Sequence, residues 1–229
     1  MPSEDYMDRD ERDERDDIID ADEDPGLVDD SADEDTDLDD AEDTDDDTVT
    51  FASLGLPEEI LAAVTDMGFR VPTPIQAAAI PPLLELRDVV GIAQTGTGKT
   101  AAFGLPLLAI VDADERDVQA LVLAPTRELA LQIAEVIEPL ARVVDMDVTT
   151  IFGGVSAKPQ EKALKAGVDV VVACPGRLLD LMGQGLVDLD EVSVTVLDEA
   201  DHMADLGFLP AVRRILRATP ARGQRMLFS

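Results

Sequence analysis

The feature that most constrains this sequence is a glycine-rich segment at residues 90–100, where an apolar run ends at a turn and a helical pattern begins. A strand, a glycine-rich turn and a helix that opens with Lys-Thr form the setting of a phosphate-binding loop. Gly96 and Gly98 let the backbone N–H groups curl around an oxyanion. Lys99 supplies charge for the terminal phosphates, and Thr100 offers a hydroxyl to Mg²⁺. The segment therefore predicts a nucleotide site built from Gln94, Thr95, Gly96, Thr97, Gly98, Lys99 and Thr100.

The charge of the chain is concentrated at its amino end. Residues 1–50 hold 26 Asp/Glu and 3 Arg, a net charge of −23 out of −32 for the whole chain of 229 residues. A segment this rich in charge has few apolar side chains to bury, and their burial cannot offset the entropy cost of ordering the chain. We therefore expect residues 1–50 to be a disordered acidic tail. The tail either keeps the protein in solution or, as an alternative, imitates a polyanion. Residues 51–229 are long enough for one domain.

From residue 51 onwards, helical and strand-like patterns alternate. Several of the strand segments are continuous Val/Leu/Ile runs, as expected when helices cover both faces of a parallel sheet. We therefore predict an α/β fold, a doubly wound, mostly parallel sheet flanked by helices. The predicted strands are residues 89–93, 120–124, 148–152, 168–173, 193–197 and 225–229. The predicted helices are residues 57–67, 73–84, 100–111, 127–144, 158–166, 176–182 and 208–218.

Three carboxylates follow the predicted strand at residues 193–197. Burying Asp198, Glu199 and Asp201 together is costly unless a cation or hydrogen-bond donors meet them. Downstream of a phosphate-binding loop, Asp198 is the candidate Mg²⁺ ligand, and Glu199 can orient or deprotonate the attacking water. We expect neighbouring parallel strands to bring these carboxylates to face Lys99. An ordinary acidic helix start is the alternative.

A glutamine lies in a turn-to-helix segment upstream of the loop, at residues 68–76. The amide of Gln76 can donate and accept at once, which suits the N6/N7 edge of adenine. Phe69 can stack on a base. The segment is weak support for a nucleotide by itself, because a Phe before a Pro usually only packs.

Several of these segments together resemble the motifs of the DEAD-box RNA helicases. They are residues 93–100, 125–130, 153–154, 175–177 and 198–201, in the order of that family. The chain resembles the first of the family's two RecA-like domains over residues 51–229, a RecA-like P-loop NTPase domain. Residues 51–76 resemble its adenine-recognising Q motif, with Phe51 as the isolated aromatic.

The resemblance implies an ATP-dependent RNA helicase with ATP and Mg²⁺ as cofactors. It places adenine at Phe69, Thr73 and Gln76, phosphates at Lys99, and metal at Thr100 and Asp198, with Lys99, Asp198 and Glu199 catalytic. It also implies that Asp201 couples hydrolysis to strand motion through Ser229. The RNA backbone would lie along Pro125, Thr126, Arg127, Gly153, Gly154, Pro175, Gly176 and Arg177, although the two arginines could instead cap or pair on the surface.

Two departures from the family pattern affect these expectations. Cys174 stands where the family usually has threonine, which puts one hydroxyl contact to RNA in doubt. The sequence also stops at Ser229, inside a predicted strand, without the second RecA-like domain. From this we expect weak nucleotide binding, slow hydrolysis and no unwinding by this chain alone.

The rest of the composition sets the remaining expectations. The acidic start lacks a secretory leader and no apolar run has membrane-spanning length, so we expect no membrane contact. A single cysteine fits a reducing compartment, and we expect a monomer in the cytoplasm. The net charge of −9 on residues 51–229 argues against nucleic-acid binding, but a local cluster of donors can still bind phosphates. His202 alone with carboxylates is too thin a ligand set for a metal.

Two other functions compete with the helicase. One is a different phosphate-loop ATPase, such as a DNA translocase. The other is a non-enzymatic binding or regulatory module. The intact Lys99, Asp198 and Glu199 give it no support, whereas the absence of the second domain gives it some.

Overall fold

All strands of this computed structural model, which describes residues 18–20 and 49–229, belong to one parallel sheet. Apolar runs form its strands because helices cover both faces. The strands are β1 (Ile18–Asp20), β2 (Val89–Ile92), β3 (Ala120–Leu123), β4 (Val148–Ile151), β5 (Val170–Ala173), β6 (Val194–Asp198) and β7 (Gln224–Phe228). Their spatial order is β1-β2-β7-β6-β3-β5-β4.

Helices connect the strands and pack on both faces of the sheet. A 3₁₀ helix at Phe51–Leu54 precedes them. They are α1 (Glu58–Asp66), α2 (Pro74–Leu84), α3 (Lys99–Ile110), α4 (Arg127–Val143), α5 (Lys158–Ala166), α6 (Pro175–Gly183), α7 (Ala200–Asp205) and α8 (Leu209–Leu216). The prediction of a doubly wound α/β domain is confirmed.

The sheet separates two apolar clusters. Along β3, Ala120 and Val122 belong to one cluster, and Leu121 and Leu123 belong to the other. This alternation is the two-residue period of a strand that is buried on both sides. The helices on each face of the sheet therefore have their own apolar cluster with the strands.

Each predicted helix and strand is present, with ends that differ by at most two residues. The sequence analysis missed the 3₁₀ helix and α7. The six residues of α7 include Asp201, His202 and Asp205, and they are too few to show a helical period. No helix among residues 49–229 has the length and apolar character needed to cross a membrane.

Part of the acidic segment is a strand. β1 pairs in parallel with β2, with Ile18 opposite Val90 and Asp20 opposite Ile92. The predicted tail therefore contains one short strand at these three residues. The rest of that prediction, through residue 48, lies outside the described residues.

Gly91 is required because an aromatic ring covers the middle of β2. A Cβ atom at Gly91 would lie 2.6 Å from the ring of Phe228 on the adjacent β7. The Phe228 ring is fixed in turn against Phe103 of α3, with 5.3 Å between ring centroids. Both rings are fully buried, so any side chain at position 91 overpacks this contact.

We expect Gly91→Ala to lower the free energy of unfolding by roughly 1–3 kcal/mol, because the added methyl displaces the Phe228 ring. The measurement is urea denaturation followed by circular dichroism. Gly183→Ala is the matched control, since a Cβ there meets no atom within 4 Å. Equal stability of the two variants would contradict the packing argument.

Candidate nucleotide site

The loop after β2 takes its shape from two glycines with left-handed backbone conformations. Gly96 has φ 86° and Gly98 has φ 89°, values that side-chain-bearing residues rarely adopt. Gly98 is the N-cap of α3, which begins at Lys99. A Cβ at Gly98 would also collide with the Gln76 amide. The loop backbone therefore leads directly into the amino end of α3, an arrangement that binds anions.

Gln76 braces this loop from α2. Its Nε2 donates to the Gly98 carbonyl oxygen at 3.1 Å, and its Oε1 accepts from the Thr73 N–H at 2.9 Å. Only 2% of Gln76 is exposed, so its amide is buried under the loop. The contact with adenine, which the sequence analysis assigned to Gln76 and Thr73, stays a prediction.

The side chain of Lys99 lies along the inside of the loop. Its Nζ donates to the Ala93 carbonyl oxygen at 2.7 Å, which connects the start of the loop to its end. On the outer part of the loop, the Thr97 hydroxyl donates to the Gln94 carbonyl oxygen, also at 2.7 Å. The ammonium group of Lys99 is therefore held where a phosphate would meet the loop.

Asp198 is the last residue of β6, and 3% of it is exposed. Burial raises the pKa of this carboxyl group to about 6, against the opposing effect of the Lys99 charge. Its Oδ1 accepts the Glu199 N–H at 3.1 Å. A buried carboxyl with a raised pKa beside a lysine marks a place where a further cation would stabilise the charged form.

The next residue, Glu199, has a left-handed backbone conformation with φ 51° and ψ 53°. Such a conformation costs of order 1–3 kcal/mol in a residue other than glycine and is typical of functional sites. The Oε2 of Glu199 lies 3.1 Å from Nδ1 of His202. The sequence analysis did not anticipate this contact, because it depends on the turn into α7.

The loop and the two carboxylates line one cavity of about 350 Å³. The sequence analysis expected β2 and β6 to be neighbouring strands. That prediction is wrong, because β7 pairs with both and lies between them. The carboxyl ends of all three strands nevertheless open on the same edge. The cavity residues named in the sequence analysis are Phe69, Thr95, Gly96, Gly98, Lys99, Thr100, Asp198 and Glu199.

The lining differs from the prediction in both directions. Thr73, Gln76, Gln94 and Thr97 do not line this cavity, whereas Ala101, Leu129, Gln132 and Val136 do. Leu129, Gln132 and Val136 share one face of α4, and this spacing was the signal available in the sequence. Phe69 is supported from behind by Phe51, with ring centroids 6.2 Å apart at 71°.

A second cavity of about 370 Å³ lies at the amino ends of β6 and β7, between Leu86 and Arg222. It contains none of the motif residues. In open parallel sheets, ligands bind at the carboxyl ends of the strands. The cavity beside Lys99 is therefore the candidate site.

The donor set fits Mg²⁺ held jointly with a phosphate. Thr100 and Asp198 offer oxygen atoms to the same cavity. Among residues 49–229, no group of three or more His, Cys, Asp or Glu side chains forms a metal cage. Mg²⁺ usually binds one or two protein oxygens together with substrate phosphates, and this arrangement suits such a site.

Ser229 lies close to Asp201, because its hydroxyl is the main cause that lowers the pKa of the Asp201 carboxyl group. The coupling role that the resemblance implied for this pair stays a prediction. The backbone of Ser229 continues the β7 ladder, donating to the Gly91 carbonyl and accepting from the Ala93 N–H, both at 3.0 Å. One residue therefore connects the base of the loop to the carboxylate cluster.

The residues expected to line RNA follow β3, β4 and β5. These three strands are adjacent and lie beyond β6 in the strand order, away from β2 and β7. A Cβ at any of Gly153, Gly154 or Gly176 would meet open space. The Thr126 hydroxyl caps α4 by accepting the Leu129 N–H at 3.2 Å. These segments expose backbone groups at one edge of the sheet, next to the nucleotide cavity.

The two arginines of this edge have partners within the protein. The Arg127 guanidinium lies 5.0 Å from the centroid of the Phe152 ring. Arg177 Nη2 donates to the Val155 carbonyl oxygen at 3.2 Å, while its Nη1 is buried without a hydrogen bond. Pro175 begins α6, and burial raises the pKa of the preceding Cys174 thiol to about 11, so this thiol is not reactive at neutral pH.

Comparison with known proteins gives similarities of sequence and of structure. Residues 73–229 match the family model described as DEAD/DEAH box helicase. Over 184 residues the chain is 49% identical to the ATP-dependent RNA helicase DeaD of Haemophilus influenzae, covering 80% of this chain and 30% of that protein. It is 47% identical to the DEAD-box ATP-dependent RNA helicase CshA of Geobacillus kaustophilus, covering 79% and 38%.

A solved structure agrees with these matches. The crystal structure of a DEAD box protein from the hyperthermophile Methanococcus jannaschii superposes with a TM-score of 0.73 at 40% sequence identity. It covers 79% of this chain and 49% of that chain. The chain spans about a third of the length of the two curated relatives.

We expect Asp198→Asn to stabilise the protein at neutral pH when divalent cations are removed with EDTA. The folded carboxyl binds its proton more tightly than the unfolded one, so its contribution to stability is lost as pH rises through about 6. The unfolding free energy of the variant minus that of the unchanged chain should rise from near zero at pH 4 to roughly 2–3 kcal/mol at pH 7.5. Chemical denaturation across this range measures it, and a flat difference would contradict the burial argument.

Proposed function

This chain belongs to the DEAD/DEAH box helicase family, and on that basis we propose that it is the ATP-binding domain of an ATP-dependent RNA helicase. The observation that carries the proposal is the shared cavity of Lys99, Asp198 and Glu199 at the carboxyl ends of β2 and β6. An ammonium group and two carboxylates on opposite sides of one cavity are what binding and hydrolysis of a nucleoside triphosphate require.

We propose that the loop N–H groups and Lys99 hold the β- and γ-phosphates. Phe69 packs against the adenine, backed by Phe51. Thr100 and Asp198 would hold Mg²⁺, which when bound neutralises charge on the phosphates. The buried Asp198 then gains the cation that favours its charged form.

In this proposal Glu199 activates water. A water oxygen forms a bond to the γ-phosphorus while the bond from that phosphorus to the bridging oxygen of ADP breaks. The water proton passes to the Glu199 carboxylate and then to solvent, so the products are ADP and phosphate. The strained backbone at Glu199 aims its side chain into the cavity.

RNA would lie across the ends of β3, β5 and β4. Backbone N–H groups at Gly154 and Gly176, the start of α4 and the two arginines suit phosphates rather than bases. Such contacts give binding without sequence preference. The net charge of −9 on residues 51–229 predicts that this affinity is weak and depends on a few local donors.

The other candidate functions make different demands. A DNA translocase would use the same cavity, but the two curated relatives described above are named as RNA helicases, which favours RNA. A non-enzymatic module would not need Asp198 and Glu199 inside the cavity. Duplex unwinding, the cytoplasmic location, the monomeric state and a contribution from a second RecA-like domain belong to the same proposal.

The proposed function is tested by ATP hydrolysis with this chain and a second RecA-like domain supplied in trans. We expect hydrolysis to rise with single-stranded RNA and not with DNA of the same sequence. Repeating the assay with each nucleic acid at several salt concentrations separates non-specific binding to the phosphate backbone from a specific preference for RNA. Equal stimulation by DNA would favour the translocase, and no stimulation by either would favour the binding module.

We expect Lys99→Ala to abolish nucleotide binding, because the loop then offers the phosphates no full positive charge. Titration with a fluorescent ATP analogue measures binding. Lys162→Ala, on the exposed side of α5, is the matched control and should bind normally. Normal affinity in Lys99→Ala would place the nucleotide elsewhere.

We expect Glu199→Gln to bind ATP within twofold of the unchanged chain but to lose at least 100-fold in single-turnover hydrolysis. The amide keeps the shape of the side chain but cannot accept a proton from water. Labelled ATP with the protein in excess makes even slow hydrolysis measurable. Hydrolysis at the original rate would show that another group activates the water.

A further inference from the structure

We propose that His202 is a positioning residue for Glu199, fixing the carboxylate that receives the water proton. The contact that motivates this is the 3.1 Å distance between His202 Nδ1 and Glu199 Oε2. A carboxylate can only accept, so Nδ1 carries the hydrogen of this bond. The inference rests on the proposed function and adds to it a residue outside the cavity lining.

The backbone of Glu199 is fixed, but its side chain needs a second anchor. The Glu199 N–H donates to Asp198 Oδ1 at 3.1 Å, and its carbonyl oxygen accepts the Met203 N–H at 3.0 Å. Neither bond restrains the three side-chain torsions that set the carboxylate position. Freezing such a side chain costs conformational entropy, a cost that a hydrogen bond to a charged group can offset.

His202 is well placed to provide that anchor because the next residue of α7, Met203, is buried in the core. Met203 is buried with 2% exposure, and the Leu206 N–H donates to the His202 carbonyl oxygen at 3.0 Å. The Ser229 hydroxyl and the His202 backbone N–H both lower the pKa of the neighbouring Asp201 carboxyl group. The imidazole therefore projects from a short helix that Met203 anchors in the core.

The positions of the two side chains indicate that His202 supports Glu199 in the cavity and does not withdraw it from the cavity. The Glu199 side chain is 30% exposed and lines the cavity, whereas the His202 side chain is 46% exposed and does not. The imidazole thus holds the carboxylate from its solvent side while Glu199 still faces the cavity. The bond engages Oε2 and leaves Oε1 to accept from water.

The test compares single-turnover ATP hydrolysis by His202→Ala, His202→Asn and His202→Gln. The Asn amide nitrogen occupies the position of Nδ1, whereas the Gln nitrogen reaches the position of Nε2. We expect a three- to tenfold loss of rate in His202→Ala and His202→Gln, and a rate within twofold of the original in His202→Asn. ATP affinity should change by less than twofold in all three.

Asp205→Asn, on the same short helix, is the control for altered charge near the site and should hydrolyse ATP normally. Circular dichroism and the melting temperature verify that each variant folds. If His202→Ala does not fold, the difference between the Asn and Gln variants still decides. A rate in His202→Ala equal to or above the original overturns the proposal, as does an equal loss in Asn and Gln.

The Glu199→Gln variant distinguishes this inference from the proposed function. If Glu199→Gln hydrolyses ATP normally, the assignment of Glu199 is wrong and the role of His202 is overturned with it. If Glu199→Gln is inactive while His202→Ala hydrolyses normally, only the inference about His202 is wrong.

Discussion

The site depends on the pairing of β7 between β2 and β6. The loop with Lys99 follows β2, and the carboxylates follow β6. The hydrogen bonds of β7 with these two strands therefore set the distance from Lys99 to Asp198. Gly91 allows the approach because the Phe228 ring occupies the space of a side chain. Backbone hydrogen bonds are short and directional, so this spacing is rigid. A change in β7 would be transmitted to both halves.

Charge at the site is balanced locally although the protein is strongly acidic. Lys99 lies close enough to Asp198 to oppose the rise in its pKa that burial causes, but not to cancel it. A buried carboxyl of this kind gains most from a cation that arrives with the ligand. In the proposed function, the same balance would let an acidic domain bind a triphosphate, with the affinity supplied by loop N–H groups, one lysine and the metal.

The two sides of the sheet divide the proposed work. β2 and β6 lead to the nucleotide cavity, whereas β3, β5 and β4 lead to the edge proposed for RNA. α4 contacts both, because Thr126 caps its start at the RNA edge and Gln132 lines the cavity nearly two turns further on. Ser229 also lies close to Asp201, and His202 contacts Glu199, so the end of β7 is near the carboxylates. In the proposed function, RNA and nucleotide would affect each other through these contacts.

Local sequence patterns were enough to predict the helices, the strands and the type of site. Local apolar periods located the helices and strands, and the loop and the carboxylates named a nucleotide site, since both signals are carried by adjacent residues. The folded structure was needed to show that β7 separates β2 from β6, that Gln76 braces Gly98 and that Ile18–Asp20 lies beside β2. These contacts join residues far apart in the chain, and no local pattern specifies which of several compatible edges will pair. His202 and Glu199 are only three residues apart, but their contact depends on the left-handed turn into α7, which no local pattern predicted.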